Sequence, residues 1–282
     1  MDTSYAFNLS ILKFHLMFRN ILKKILPQSA TNILQSGRML ARSVYQKDER
    51  SAFVSFFKTD YEGINFLDKL KIIKQLHWVS LRVESPHAQN EILSFTDATL
   101  SLPKGGNGIL IEAGCFKGGS TSKFSLAAHM ANRSLFVFDS FEGIPENDEE
   151  HTKNIFGGGA GFAQGDYCGP IDEVKSNIEK YGKLEQCTFV KGWLDDTLPD
   201  LKQPVSVAYI DVDLVSSTKT ALKYIYPLLE EGGVLFSQDC HLPLVIELFD
   251  DDDFWQNEVG CAKPYMEGLR TRKLVKVVKG SS

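Results

Sequence analysis

Residues 111–121 read IEAGCFKGGST, and this stretch decides the fold. A short apolar run, GILIEAG (108–114), stops at an acidic residue and a glycine. Two glycines and two hydroxyls then open a helical pattern, STSKFSLAAHMA (120–131). A strand that turns through glycine into a helix is built for close backbone approach, with free N–H groups at the helix start. Gly114, Gly118 and Gly119 are expected to make the turn, and Ser120 and Thr121 to offer hydroxyls or backbone N–H groups. The spacing is G-x-x-x-G-G, not the G-x-G-x-x-G of dinucleotide sites. Glu112 would repel a pyrophosphate but suits a cationic ligand end, such as an amino group or sulfonium.

Downstream, strands and helices alternate: SLFVFDS (134–140), PIDEVKSNIEKYG (170–182), CTFVKG (187–192), VSVAYIDVD (205–213), SSTKTALKYIYPLLEEGG (216–233) and VLFSQD (234–239). The fold expected is α/β, a Rossmann-like doubly wound and mostly parallel sheet. A helix is expected from Pro243, and two short runs near 264–279 suit a hairpin. Residues 1–104 read as mostly helical, with FLDKLKIIKQLHWVSL (66–81) the clearest periodicity. KGGNG (104–108) divides a helical N-terminal extension, 1–104, with a cap, dimer or substrate-binding role, from a ligand-binding domain, 105–282.

In doubly wound sheets ligands sit beyond the carboxyl ends of the strands, so those residues are the candidates. Asp139, 25 positions after Gly114, suits a hold on ribose hydroxyls, with Ser140 beside it. Gly192 and Trp193 follow the third strand and could set an aromatic edge near a base. Asp211, Asp213 and Asp239 are expected to meet at one rim, where like charges need pairing, solvent or a metal. Oxygen ligands suit Mg²⁺ or Ca²⁺, and such an ion could lower the pKa of a bound hydroxyl. His241 and Glu150-His151 supply candidate general bases. The run Asp250–Asp253 reads as a solvated helix face. The Gly-rich stretch 157–169 is expected to be a mobile loop over the substrate.

The chain has 282 residues and a net charge of −5, which argues against a general nucleic-acid binder. Five scattered cysteines without a C-x-x-C pair fit reduced thiols in the cytoplasm. Residues 7–26 form an amphipathic pattern, and the first 50 residues hold eight Lys+Arg against three Asp+Glu. Packing on the chain's own domain or on a second subunit, giving a homo-oligomer, is favoured over peripheral membrane contact.

The segments IEAGCFKGGSTSKFSLAA, VFDSFEGIP, VKGWLDDTLP, IDVDLVSSTKTALKYIYPLLEEGG and QD, in this order over about residues 108–255, resemble the macrocin O-methyltransferase family. The resemblance implies a class I methyltransferase fold, S-adenosylmethionine and a divalent ion, usually magnesium. It also implies methylation of a hydroxyl on a sugar. It assigns metal ligation to Asp211, Gln238 and Asp239, with Gln238 standing where the family has an acidic residue, and Val212 where it has glycine. It matches the family's Glu-His pair to Glu150-His151, and with the strand-end reading this makes Asp211, His151 and His241 the catalytic candidates. The competing readings are an NAD(P)-dependent oxidoreductase, disfavoured by the glycine spacing and the lack of Y-x-x-x-K, and a non-catalytic cofactor-binding protein.

Overall fold

The parallel strands follow from their composition. They are Ile109–Ala113 (β1), Leu135–Asp139 (β2), Cys187–Lys191 (β3), Val205–Ile210 (β4) and Leu229–Ser237 (β5); β1 and β4, apolar but for Glu112 and Ser206, are buried along their whole length, and β5 becomes apolar only from Val234. Strands enclosed on both faces read this way because helices cover both sides of a parallel sheet. The computed structural model describes residues 47–280. The chain divides into two compact units, Met1–Arg50 and Ser51–Ser282, and the sheet and all site residues belong to the second. The amphipathic pattern at 7–26 lies outside the described residues. Among the described residues no helix is long and apolar enough to cross a membrane.

Helices among the described residues include Lys47–Lys58 (α1), Phe66–Ser80 (α2), Gln89–Leu100 (α3), Gly119–Ala131 (α4), Ile171–Tyr181 (α5), Leu194–Thr197 (α6), Val215–Ile225 (α7) and Pro243–Asp250 (α8). The sheet also takes in Met266–Glu267 (β6) and Val275–Val278 (β7), in the order β3-β2-β1-β4-β5-β7-β6. β1 to β5 pair in parallel, while β7 runs antiparallel to both β5 and β6. The expected Rossmann-like architecture is therefore present, and the runs near 264–279 do pair as antiparallel strands.

Side chains alternate across the sheet. Ile109 and Ile111 face a layer with Leu222 and Ile225 of α7 and Phe249 of α8. Leu110, Val207 and Tyr209 face the opposite layer, where Leu76 of α2, Phe95 of α3 and Phe124 of α4 pack. Phe95 and Phe124 stack with ring centroids 3.9 Å apart. Burying each such side chain contributes about 1.5–3 kcal/mol. Helices α2 and α3 thus belong to the same unit as the sheet, and KGGNG lies inside that unit as the loop into β1.

One expected boundary differs. The helix read over 216–233 ends at Ile225, because Pro227 has no N–H to continue it. The chain turns once and enters β5 at Leu229, opposite Val205, and regular pairing resumes at Val234 opposite Val207.

Candidate active site

The carboxyl ends of the parallel strands open on a cavity of about 510 Å³. Its floor is set by β1. Gly114 has φ +85°, and a Cβ there would stand 1.9 Å from the Asp211 carbonyl oxygen. The turn is therefore glycine because two strand tips meet, in addition to any ligand above it. Gly118 caps α4 at φ +77° against Val174, and a Cβ on Gly119 would strike Ser85 and the Glu84 carbonyl.

Of the β1-turn candidates, Gly114, Gly119 and Ser120 line the cavity, whereas Glu112, Gly118 and Thr121 do not. The pleat explains Glu112: it shares a face with Leu110 and points into the α3–α4 layer. Burial pushes its carboxyl up to about 8, against the smaller downward pull of the Ser120 and Thr121 hydroxyls. Lys123 of α4 is buried in the same layer, and burial pushes its ammonium down to about 8 despite Glu91 and Glu112.

The end of β2 carries Asp139 into the cavity. Its Oδ2 accepts from Cys115 N at 2.7 Å and its Oδ1 from Phe141 N at 2.6 Å. These bonds tie the β1 and β2 turns together and fix the carboxylate's plane. Ser140, Gly192 and Trp193 line the same wall. The segment from 141 to 170 completes the enclosure with Ile144, Phe162 and Tyr167, and is tied to itself by Ile144 N to Asp166 O and Gly165 N to Ile144 O, each 2.9 Å.

Carboxylates converge at the β4 and β5 tips. Asp211, Asp213 and Asp239 bring ligand oxygens within 4.8 Å of one another. Burial and the charge of Asp211 push Asp213 up to about 7, and burial with Asp211 and Asp213 pushes Asp239 well above the carboxylate range. Burial also acts on Asp211, but His87 and then Lys273 outweigh it and hold its carboxyl low. Three carboxylates with their oxygens this close make an all-oxygen donor set that fits a hard divalent ion. The chain supplies partners too. Asp239 Oδ2 accepts from Val212 N (2.9 Å) and Asp213 N (3.0 Å), and His87 Nε2 lies 2.9 Å from Asp211 Oδ2. The Gln238 side-chain amide lies between Asp211, Asp239 and Lys273; with its nitrogen turned inward it donates to Asp211 Oδ1 (2.7 Å) and Asp239 Oδ1 (3.2 Å) and its oxygen accepts from Lys273 Nζ.

The two candidate bases separate. His241 lines the cavity, and its Nδ1 has no hydrogen-bond partner. Burial, then Lys273, push it down to about 4, so it is neutral near pH 7. His151 does not line the cavity. Its Nε2 is 3.0 Å from Glu149 Oε2, so its carboxylate partner is Glu149 and not its sequence neighbour Glu150. Glu149 is held in place because it also accepts from Val215 N and Ser216 N at the start of α7, whereas Glu150 is exposed.

The model of the macrocin-O-methyltransferase (TylF) family matches residues 99–259. The chain belongs to this family. A curated relative is 35% identical over 178 residues: the 8-demethyl-8-(2,3-dimethoxy-alpha-L-rhamnosyl)-tetracenomycin-C 4'-O-methyltransferase of Streptomyces olivaceus, aligned over 59% of this chain and 64% of the relative. A second, the demethyldecarbamoylnovobiocin O-methyltransferase of Streptomyces niveus, is 33% identical over 47% of this chain and 52% of its own length. The chain thus spans less than two thirds of the length of either. Among solved structures, the O-methyltransferase NovP superposes with TM-score 0.51 at 21% identity, over 90% of this chain and all of that one. The calicheamicin methyltransferase CalS11 does so with TM-score 0.54 at 17% identity, over 84% and 94%. These two show the fold.

His87, Lys273 and Glu149 were not among the residues singled out from sequence. His87 sits in the link between α2 and α3, where SPHAQ reads as a helix entry. The signal for Lys273 was topological: Val275 pairs with Ser237, so the residues before β7 must pass the carboxyl end of β5.

Proposed function

We propose that this TylF-family protein is an S-adenosylmethionine-dependent O-methyltransferase acting on a hydroxyl of a sugar or glycosylated natural product. The observation that carries the reading is a single cavity bounded by Asp139 at one strand end and by the Asp211 cluster at another. Its volume is ordinary for a cofactor site. Its lining acids, among them Asp139, Asp195, Asp211 and Asp213, outnumber its cation Lys273, which suits a positively charged ligand. Family membership decides against the oxidoreductase alternative. The relatives named above act, by their names, on sugar-bearing small molecules.

S-adenosylmethionine, when bound, supplies an electrophilic methyl group on a sulfonium centre. A divalent ion held by Asp211, Asp213 and Asp239 would supply positive charge that makes a neighbouring hydroxyl more acidic. Asp139 offers two carboxylate oxygens whose orientation is already set by Cys115 and Phe141. His241 lines the cavity as a neutral imidazole, and we assign it the hydroxyl proton. Such a weak base needs the acceptor's acidity raised by nearby positive charge. Aromatic and apolar groups, including Phe162 and Trp193, hold the acceptor and exclude water.

The test is calorimetric titration of S-adenosylmethionine into the wild-type protein and into Asp139→Ala. Mass spectrometry of a panel of glycosylated hydroxyl acceptors incubated with both accompanies it. Binding and methylated product with the wild type, both lost in the variant, support the reading. A wild type that does not bind the compound sinks it.

A further inference from the structure

Two aromatic residues meet at the cavity in a backbone conformation that side chains rarely adopt. Phe116, just past the β1 turn, has φ +48°, and Tyr167, near the end of the 141–170 segment, has φ +54°. Both line the cavity, and their rings meet edge to face, with centroids 5.7 Å apart and planes at 82°. Strained positions of this kind persist only where the surroundings fix them, and they gather at ligand sites. Here the fixing is visible. Gly169 lies so close to the turn that a Cβ on it would stand 1.9 Å from the Phe116 carbonyl oxygen, which clamps the end of the segment onto β1. The Phe116 ring already attracts a cation of the chain, Lys117, whose Nζ is 5.1 Å from its centroid and is held by Glu84. Burial, then Asp213 and Asp166, push the Tyr167 phenol up, so its ring stays neutral at ordinary pH.

The pair belongs to the stretch between the two ends of the site. Cys115 N donates to Asp139 at one side of the β1 turn, and Gly114 abuts the Asp211 carbonyl at the other. In S-adenosylmethionine the sulfur is bonded to the 5′ carbon of the ribose, and its methyl group must reach a hydroxyl near the acidic cluster. A nucleoside held at Asp139 therefore carries its sulfonium toward Asp211 along this turn, beside the residue that follows it. A sulfonium is a soft cation with its charge spread over the attached carbons, and an aromatic face attracts such a centre as it does a quaternary ammonium. The thioether left after transfer is neutral and loses that attraction. Resting on the methyltransferase reading, we propose that Phe116 and Tyr167 form an aromatic clamp on the sulfonium, and that this pair sets how strongly the site prefers the charged cofactor over its neutral by-product. The clamp assigns the two rings a task that the carboxylates do not perform: they recognise the charge at sulfur without offering a nucleophile to the methyl group.

The test compares a charged and a neutral ligand and needs no turnover. S-adenosylmethionine, its amine analogue sinefungin and S-adenosylhomocysteine are titrated calorimetrically into the full-length chain as wild type, Phe116→Leu, Tyr167→Leu and Tyr167→Phe. Leucine keeps apolar bulk but removes the ring. The clamp predicts that each leucine variant weakens the two cationic ligands about three- to tenfold and S-adenosylhomocysteine less than about twofold, while Tyr167→Phe stays within about twofold of the wild type for all three. Equal weakening of charged and neutral ligands, or no change in either, overturns the clamp and leaves the methyltransferase reading standing. Unchanged ligand binding with a raised KM for the acceptor also overturns it, and would place the rings against the acceptor sugar. A wild type that binds neither S-adenosylmethionine nor S-adenosylhomocysteine defeats the methyltransferase reading, and the clamp with it. Thermal melts identify a variant that does not fold; Tyr167 is 48% exposed, so Tyr167→Leu decides alone if Phe116→Leu fails.

Discussion

His87 Nε2 lies 2.9 Å from Asp211 Oδ2, so a residue from the link between α2 and α3 is locked onto the tip of β4. The other ring nitrogen, Nδ1, is 2.9 Å from Ser85 Oγ, which fixes the imidazole's orientation. A group that orients a site carboxylate is typically worth about 10–100-fold in activity or ion affinity. His87→Ala is expected to lower kcat/KM for methyl transfer in that range, while the Tm falls by only a few degrees. Steady-state kinetics with a thermal melt check this. An unchanged kcat/KM would show that Asp211 needs no such partner.

Glu149 and Glu150 are adjacent but should behave differently. Glu149 accepts from Val215 N, Ser216 N and Ser216 Oγ, capping α7, and those donors outweigh its burial and hold its carboxyl low. Loss of such a cap costs about 2 kcal/mol, a Tm drop of roughly 6 °C at this size. Glu149→Ala is expected to show that drop. Glu150→Ala, at an exposed position, should stay within about 0.5 kcal/mol. Equal effects in calorimetric scans would contradict the assignment of Glu149 as the partner of His151 and α7.

This pair also shows what the sequence could reveal. The strand ends were readable because apolar runs stopping at Gly114, Asp139, Gly192, Asp211 and Asp239 report local pattern, and the doubly wound fold makes those ends neighbours. Partners reached across the fold were not readable. Glu149 meets α7 some 66 residues away, and His87 meets Asp211 from a link with no motif of its own. Glu112 was legible as a strand-end acid, but its direction was fixed by the pleat, which carries it into the helix layer rather than the cavity.

Gly114 tests whether the first turn is shaped by the chain or only by a ligand. Any side chain there must adopt φ +85° and overlap the Asp211 carbonyl, which is backbone and has little room to move. Gly114→Ala is expected to cost about 3 kcal/mol or more, with the Tm falling by roughly 6–12 °C without any ligand present. A variant with wild-type Tm that has merely lost S-adenosylmethionine binding would show that the glycine serves the ligand alone.

Lys123 gives the fold a pH dependence of defined sign. Its ammonium is buried on α4 with no hydrogen-bond partner, facing Glu91 of α3 and Glu112 of β1, with His77 of α2 nearby. The folded chain releases its proton at about 8, whereas the unfolded chain keeps it to about 10.5. Between those values the unfolded state binds more protons, so this group makes stability rise with pH across that window. Glu112, raised from 4.5 to about 8, acts with the opposite sign and at lower pH, where the folded state holds the extra proton. Lys123→Met replaces a buried charge with an apolar chain of similar length and is expected to raise stability at pH 7 by about 1 kcal/mol or more. That advantage should shrink steadily from pH 8 to pH 10.5. Urea unfolding of both proteins at a series of pH values measures it. A gap that stays constant or widens over the window would mean that Lys123 keeps its proton in the fold, held by Glu91 and Glu112.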